Sequence, residues 1–327
     1  MTLASDVAGG QRWRRRHTAT ISRRLREGAR VREEIGTLHD AMEREAYVTD
    51  RATATAVYLA MALHKPLLIE GHPGVGKTEV AKVLARALDA ELIRLQCYEG
   101  LDVNTALYEW NYAKQLLHIK LQEGTAATAR EREAEIFSRE FLLERPLLRA
   151  ITKSDASPVL LVDEVDRSDE EFEAFLLEVL SDHQVTIPEI GTVRATHPPH
   201  VVLTSNRTRE LSEALRRRCL YLWVDYPSYE KELRIVRAKV PGVETRLADE
   251  VVRFVQRVRT RRLSKTPGVA ESLDWAQALV TLGADALAAD LVDETLGCVL
   301  KDEADLRDIR SAVEKSGVDA FVGGGAA

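Results

Sequence analysis

The feature that most constrains this sequence is a glycine-rich stretch between an apolar run and an amphipathic one. Residues 71–78 read Gly-His-Pro-Gly-Val-Gly-Lys-Thr, which matches the spacing G-x-x-x-x-G-K-[ST]. The apolar run at 66–70 predicts a buried strand, and apolar residues recur at helical spacing over 78–88. A strand, a glycine turn and a helix in this order can surround a polyphosphate with backbone N–H groups. The sequence therefore predicts an α/β fold built around a phosphate-binding loop.

The residues of this loop have distinct predicted tasks. The ammonium of Lys77 would reach the β- and γ-phosphates of a nucleotide, and the hydroxyl of Thr78 would occupy one position on Mg²⁺. Glycine is needed because the backbone must approach the phosphates closely and adopt conformations that side chains would block. The predicted nucleotide-binding residues are Gly71, His72, Pro73, Gly74, Val75, Gly76, Lys77, Thr78 and Glu79.

Two adjacent acids follow an unbroken aliphatic run at 159–162. In a fold with a phosphate-binding loop, a carboxylate at this place meets the metal, usually through water, so Asp163 is the second predicted Mg²⁺ ligand. Glu164 would point the opposite way and orient or deprotonate the attacking water. The alternative is an acidic start to the next helix, favoured by the helix dipole. That alternative explains the acids at 169–171 better than the two beside the strand.

Two further candidate residues lie next to the last two predicted strands. Asn206 follows the run at 201–205 and would hold the nucleophilic water or the γ-phosphate, the alternative being an ordinary turn residue. Arg218 precedes the run at 220–224 and is predicted to reach the γ-phosphate of a neighbouring subunit, with Arg217 as second choice. The alternative is that this arginine cluster is only solvated.

Two insertions interrupt the alternation of strands and helices. The first, at 98–156, carries an aromatic segment at 108–112 and a charged helix near 130–144. The second, at 184–194, alternates apolar and polar residues around a proline and a glycine, which predicts a β-hairpin. Together with the five predicted strands at 66–70, 91–96, 159–162, 201–205 and 220–224, these patterns predict a five-stranded parallel sheet with hairpin and helical inserts.

The boundaries of the helices and domains also follow from local patterns. Ser168 and Glu171 have the spacing of a capping box, which predicts the start of a helix with a buried apolar face at Phe172, Phe175, Leu176, Val179 and Leu180. After residue 227 the pattern is helical only. The predicted divisions are a basic N-terminal extension (1–41), an α/β core (42–226), an all-α lid domain (227–320) and a flexible tail (321–327).

Composition excludes several classes of protein. The formal net charge is −6, but residues 1–36 hold nine arginines against four acids, which leaves the remainder at −11. This balance argues against nucleic-acid binding as the main function, and the basic arm at 12–34 is left without an assigned function. Three scattered cysteines have no metal-binding spacing and predict a reducing, cytoplasmic setting. No apolar run approaches the roughly 18–20 residues of a membrane helix.

The order and spacing of these motifs resemble those of the AAA+ ATPases, with the loop at 71–78, Asp163 and Glu164, Asn206 and Arg218 in the matching places. The hairpin before Asn206 is similar to that of the MoxR branch. The resemblance covers about residues 42–300. Longer stretches that resemble the CoxD-type subgroup, associated with carbon monoxide dehydrogenase maturation, are 95–102, 106–112, 172–188 and 219–227.

This resemblance implies a fold and an activity. The fold would be a P-loop AAA+ core with a five-stranded parallel sheet, followed by an all-α lid domain. The activity would be hydrolysis of ATP in the presence of Mg²⁺, in a homo-oligomeric, hexameric ring with the nucleotide between subunits. The implied partners are a protein with a von Willebrand factor A domain and a metalloenzyme client, such as a molybdenum hydroxylase, on which the ring acts as a chaperone.

One stretch departs from the family pattern. MoxR proteins commonly carry a second-sensor arginine in a Ser-Pro-Arg-Ala-like stretch of the lid, whereas the corresponding residues here are 266–275, with Glu271 near the expected position. Lys265 and Arg262 are possible substitutes. Two other functions fit the same fold: a nucleic-acid remodelling motor, suggested by the basic arm, and a nucleotide-gated scaffold with little turnover.

Overall fold

The protein is described from a computed structural model, in which the described residues are 30–122, 128, 131 and 135–323. The predicted basic arm lies outside the described residues except for its last five positions. The same holds for residues 324–327 of the predicted tail and for part of the predicted charged helix near 130–144.

Five parallel strands form the central sheet, which confirms the predicted fold class. The strands found among the described residues are β1 (Leu67–Gly71), β2 (Leu92–Gln96), β3 (Tyr108–Trp110), β4 (Leu142–Glu144), β5 (Val159–Asp163), β6 (Gln184–Ile187), β7 (Gly191–Arg194), β8 (His200–Ser205) and β9 (Leu220–Val224). In space the sheet runs β2–β5–β8–β1–β9. Strands β1 and β5 are buried along their whole length, as aliphatic strands with helices on both faces must be.

Helices cover both faces of this sheet and make up the end of the chain. They are α1 (residues 30–44), α2 (Arg51–Ala62), α3 (Lys77–Ala87), α4 (Val103–Leu107), α5 (Tyr112–Leu121), α6 (Pro146–Thr152), α7 (Glu170–Asp182), α8 (Glu213–Arg218), α9 (Tyr229–Lys239), α10 (Thr245–Arg259), α11 (Val269–Thr281), α12 (Ala289–Thr295), α13 (Glu303–Ser316) and α14 (Asp319–Val322). Short 3₁₀ turns occupy Arg139–Phe141, Val165–Arg167 and Leu296–Cys298.

Two apolar layers enclose the sheet because neighbouring residues of a strand face opposite sides. Leu68 and Leu160 belong to the layer that includes α6 and α7. Leu67, Ile69 and Leu161 belong to the other layer, which includes α2 and α3. With both faces covered in this way, the strand ends are left to carry the polar side chains.

Helix α1 crosses the predicted division between the N-terminal extension and the core. Its Leu38 and Met42 are buried in the same layer as α2 and α3. The Tyr58 hydroxyl of α2 also donates a hydrogen bond to Glu34 of α1, at 2.6 Å. The last residues of the predicted extension are therefore packed on the sheet's helical layer.

The capping-box prediction for α7 was wrong by one residue. Asp169, not Ser168, is the N-cap, and its carboxylate accepts a hydrogen bond from the Phe172 N–H at 2.8 Å. The Ser168 hydroxyl instead donates to the Val165 carbonyl at 2.8 Å, because it closes the preceding 3₁₀ turn. Four of the five predicted apolar positions are buried, and Phe175 is half-buried.

The two insertions differ in how well local pattern predicted them. The hairpin of β6 and β7 is confirmed. The charged helix near 130–144 does not reach residue 144, because Arg139–Phe141 form a 3₁₀ turn and β4 then pairs antiparallel with β3. The partner of β4 lies in the aromatic segment more than thirty residues earlier, so helical periodicity alone could not reveal the pair.

The end of the chain, residues 228–323, contains helices and no strand, all of these residues being described. We call it the helical region. Its apolar cluster is centred on Phe254 and Trp275, whose rings lie 5.0 Å apart. The predicted division at 226/227 falls between β9 and α9. Among the described helices, none is long and apolar enough to cross a membrane.

Candidate functional site

A cavity of about 440 Å³ opens at the carboxyl edge of the sheet, where the core faces the helical region. It brings together Lys77, Thr78, Asp163, Glu164 and Asn206, which the sequence predicted to act as a unit. Further lining residues from the predicted loop are Pro73, Gly74, Val75, Gly76 and Glu79. Parallel strands place their carboxyl ends at one edge, so residues far apart in sequence meet there.

Two residues of the predicted loop do not line this cavity. Gly71 is the last residue of β1, and a Cβ there would lie 2.1 Å from the Val224 carbonyl oxygen of the neighbouring strand. His72 stacks on Tyr226 with ring centroids 4.5 Å apart and meets Trp223 edge-on. Both residues therefore contact the end of β9 and support the loop on the side away from the cavity.

The loop needs glycine at the position where it turns into α3. Gly76 is the N-cap of this helix and has a φ of 92°, which residues with a side chain rarely adopt. Helix α3 begins at the next residue, so its free N–H groups and the positive end of its dipole face the cavity. This end of the cavity is suited to an anion.

Lys77 is buried, and its ammonium is held by three oxygen acceptors. It donates to the carbonyls of Gly71 (2.9 Å) and His72 (2.7 Å) and to Oδ1 of Asn206 (2.7 Å). Burial lowers the pKa of Lys77, while the nearby acids, Asp166 first among them, act in the opposite direction. The structure thus joins two predicted site residues that are 129 positions apart.

Asp163 and Thr78 form the second direct contact between predicted residues. The Thr78 hydroxyl donates to Oδ1 of Asp163 at 2.9 Å, and Thr204 donates to the same oxygen at 2.6 Å. The other carboxylate oxygen accepts from Arg94, through Nε at 3.1 Å and Nη2 at 2.6 Å. The buried carboxylate is therefore fixed on both sides, and it turns one oxygen toward the hydroxyl of the loop.

These oxygen donors fit magnesium. Mg²⁺ prefers carboxylate and hydroxyl oxygens, usually binds through one or two protein side chains, and keeps phosphate oxygens and water as its other ligands. Thr78 and Asp163 supply such a pair beside the anion end of the cavity. The part of the chain that is described contains no cluster of three His, Cys, Asp or Glu residues suited to a metal.

Glu164 leaves the strand with a change of backbone direction. Its φ of 55° is positive, which costs a non-glycine residue on the order of 1–3 kcal/mol. Its N–H donates to the Thr204 hydroxyl at 2.9 Å, and its carboxylate lies 3.2 Å from Nη1 of Arg167. The side chain lines the cavity and is partly exposed, so water can reach it.

The sequence analysis missed Asp166, which supports the loop that carries Asn206. This carboxylate is 2% exposed. It accepts hydrogen bonds from the N–H of Asn206, at 3.2 Å to each oxygen, and from the N–H (2.8 Å) and hydroxyl (2.7 Å) of Thr208. Asp166 lies three positions after Asp163, and this closeness to a predicted metal ligand could have marked it as part of the site. Thr204, another missed residue, was detectable as a hydroxyl within an aliphatic strand.

Arg218 lies far from these residues, at the amino edge of the sheet. It ends α8 and borders a second cavity of about 320 Å³, together with Arg217 and Pro66, which directly precedes β1. Arg217 pairs with Glu213 at 2.5 Å. Within the described part of the chain, the exposed Arg218 side chain has no ion-pair or hydrogen-bond partner. It does not line the nucleotide cavity of its own chain.

The comparison with protein families bears directly on this site. Residues 66–219, somewhat less than half of the chain, match the family model of the AAA domain (dynein-related subfamily). Residues 66–219 are an AAA+ ATPase domain. The chain is thus an enzyme that hydrolyses ATP to ADP and phosphate.

Two relatives that match about three quarters of this chain are 24% identical to it. The gas vesicle ATPase GvpN of Haloferax mediterranei is 24% identical over 261 residues, which cover 76% of this chain and 73% of that protein. An uncharacterized protein of Staphylococcus haemolyticus is 24% identical over 262 residues, which cover 77% of this chain and 90% of that protein. The Thermotoga maritima RuvB Holliday junction branch migration motor has a TM-score of 0.44 at 18% identity, covering 84% of this chain and 80% of that structure.

The helical region meets the phosphate loop of the AAA+ domain through α11. The N–H groups of Val269 and Ala270 donate to the Gly74 carbonyl at 3.0 and 3.1 Å. Glu271, the residue near the expected second sensor, accepts a hydrogen bond from the Gly268 N–H at 2.8 Å and thereby caps its own helix. Neither Lys265 nor Arg262, the candidate substitutes, lines the nucleotide cavity.

Proposed function

We propose that this AAA+ ATPase belongs to the MoxR-like type and acts as a ring-shaped, chaperone-like machine on protein clients in the cytoplasm. The observation that carries the catalytic part is the 2.9 Å contact between Thr78 and Asp163, beside Lys77, Glu164 and Asn206 in one cavity. A loop, a carboxylate pair and an amide converge there, although Lys77 and Asn206 are 129 positions apart in the sequence.

The loop residues bind and orient the nucleotide. Lys77 would exchange its carbonyl contacts for phosphate oxygens, and the N-terminus of α3 would face the same phosphates. Thr78 and Asp163 would hold Mg²⁺, which supplies neutralisation of charge on the β- and γ-phosphate oxygens. These interactions hold the polyphosphate in line with the water that attacks it.

Glu164 and Asn206 handle the attacking water. The Glu164 carboxylate would accept a proton from this water after its contact with Arg167 opens, since the pairing now occupies one of its oxygens. The side-chain amide of Asn206 would orient the water or the γ-phosphate. The backbone N–H of the same residue is held by the Asp166 carboxylate. We therefore assign general-base chemistry to Glu164 and positioning to Asn206.

The remaining catalytic cation is proposed to come from a second copy of the chain. Arg218 sits at the edge of the sheet opposite the cavity and is free to project outward. In a closed ring each Arg218 would reach the γ-phosphate of the next subunit and stabilise the charge of the transition state. A hexamer is the ring that the MoxR resemblance favours.

A protein client agrees better with the surface than a nucleic acid does. Helix α5, in the first insertion, exposes Tyr112, Leu116, Leu117 and Leu121, each more than half accessible. Exposed apolar patches are a mark of protein contact. By resemblance to the CoxD-type subgroup, we propose that the partners are a von Willebrand factor A protein and a metalloenzyme client, such as a molybdenum hydroxylase like carbon monoxide dehydrogenase.

The decisive test is ATP turnover of the Glu164→Gln variant. We expect a loss of roughly 10²–10⁴-fold, because the amide cannot accept the proton. ATP binding, measured by calorimetry, should persist. The matched control is Glu171→Gln, which removes an exposed acid of α7 and should leave turnover unchanged. Equal turnover in wild type and Glu164→Gln would refute the catalytic assignment, and binding without turnover in the wild type would favour the nucleotide-gated scaffold.

A further inference from the structure

One face of α9 supplies part of the wall of the nucleotide cavity. Lys231, Ile235 and Lys239 are spaced by four residues, so they lie along one side of the helix, and all three line the cavity. They are the residues of α9 that do so among those described. The helical region therefore faces the nucleotide site with an apolar side chain flanked by two lysines.

Lys239 connects this face to the phosphate loop. Its ammonium lies 3.0 Å from Oε1 of Glu79, which belongs to the first turn of α3, one residue after Thr78. The two side chains are 160 positions apart and both are partly buried. Lys239 is thus held beside the helix end that faces the phosphates, by a carboxylate that is itself part of the predicted loop.

The charges around this pair do not balance. Besides Lys239, Glu79 has Lys82 at 3.7 Å and Arg86 at 3.4 Å, and Arg86 has a second partner in Glu45 at 2.8 Å. Burial would raise the pKa of Glu79, but the hydrogen bond and charge of Lys239 and its basic neighbours hold it below its ordinary value. Three cations against two acids therefore surround Glu79, so this carboxylate has more basic partners than it can neutralise.

The helical region has no arginine in the place where the family resemblance expects one. Glu271 occupies that position and is engaged as a helix cap. Among the described residues of the helical region that line the cavity, the cations are Lys231 and Lys239. Lys231 pairs with Asp50, the N-cap of α2, whereas Lys239 pairs with a residue of the loop helix itself.

We propose that Lys239 is the nucleotide-sensing cation of the helical region, which exchanges Glu79 for a phosphate oxygen when ATP binds. The inference rests on the proposed function, because it requires ATP in this cavity. Glu79 and the phosphate then compete for one ammonium group. This exchange would tie the position of α9 to the occupancy of the phosphate loop.

This competition predicts that substitutions of Lys239 and of Glu79 change ATP affinity in opposite directions. Replacing Lys239 by glutamine removes the cation and should weaken ATP binding by about tenfold, the size of one charge-assisted contact. Replacing Glu79 by glutamine releases the cation and should tighten ATP binding by about threefold. The double variant should resemble Lys239→Gln, and Lys239→Arg, which keeps the charge, should restore most of the affinity.

The experiment is a titration of full-length wild type and variants with a fluorescent ATP analogue, alongside thermal unfolding without nucleotide. Arg237→Gln, an exposed cation of the same helix, is the matched control and should bind like wild type. If the pair were only structural, Lys239→Gln and Glu79→Gln would lower the unfolding temperature alike and shift affinity in the same direction, which would overturn the inference.

Two results separate this inference from the function it builds on. If wild type binds no ATP, the proposed function fails and the inference fails with it. If wild type and Glu164→Gln bind ATP while Lys239→Gln binds equally tightly, the inference alone is refuted.

Discussion

The two edges of the central sheet differ in how their charged groups are held. At the carboxyl edge, Lys77 and Asp163 are buried and have every oxygen or ammonium contact satisfied by named partners. At the amino edge, Arg218 is exposed at the rim of a second cavity. Five predicted site residues therefore share one cavity at the carboxyl edge, while the role proposed for Arg218 at the other edge requires a second copy of the chain.

The largest expected effect tests whether Arg218, at the amino edge, is needed for turnover but not for ATP binding. Arg218→Ala should lower ATP turnover by about 10³-fold, while ATP affinity stays within twofold, because the role proposed for the side chain is in a neighbour's transition state. Steady-state turnover and calorimetry measure the two quantities. Arg217→Ala is the matched control and should retain most activity, since Arg217 is already paired with Glu213.

A mixture of two variants tests whether the carboxyl edge of one chain meets the amino edge of another. Lys77→Ala alone should neither bind nor hydrolyse ATP, and Arg218→Ala alone should bind without hydrolysis. A mixture should regain activity, because an intact loop from one variant can meet an intact arginine from the other. A mixture that stays as inactive as its components would contradict the placement of Arg218 in a shared site.

An intermediate effect is expected within the carboxyl edge. Asp166→Asn should lower turnover by about 10–100-fold through misplacement of Asn206, whose N–H the carboxylate anchors. ATP affinity should change little, because Asp166 does not line the nucleotide cavity. Turnover equal to wild type in a folded Asp166→Asn variant would show that the anchor has no role in positioning.

The smallest effect concerns two thiols, one near each edge. Cys97 follows β2 and Cys219 precedes β9, and burial raises the pKa of each to about 12, with the charge of Asp163 adding to the effect at Cys97. At pH 8 the reactive thiolate is therefore scarce at both sites. In the native protein Cys97 and Cys219 should each label slowly with a thiol reagent, Cys219 faster than the buried Cys97, as measured by peptide mass spectrometry. Labelling of either thiol as fast as in urea would contradict this.

The sequence pattern predicted best those elements whose structure depends on residues close together in the sequence. The glycines at the start of α3, the aliphatic run of β5 and the turn between β6 and β7 each depend on residues within one short segment. The same local logic misplaced the cap of α7, because Ser168 and Asp169 are adjacent and either side chain can cap a helix. Only the 3₁₀ turn before it decides between them.

Sequence pattern was enough to place a phosphate loop, an acid pair after a buried strand and an amide after the next strand at one edge of a parallel sheet. The tertiary structure alone decided which groups hold those residues in place. Asp166 and Thr204 reach partners about forty positions away, and Lys239 reaches Glu79 across 160. Such contacts leave no periodic trace, because they are set by how strands and helices pack and not by the spacing of residues within one of them.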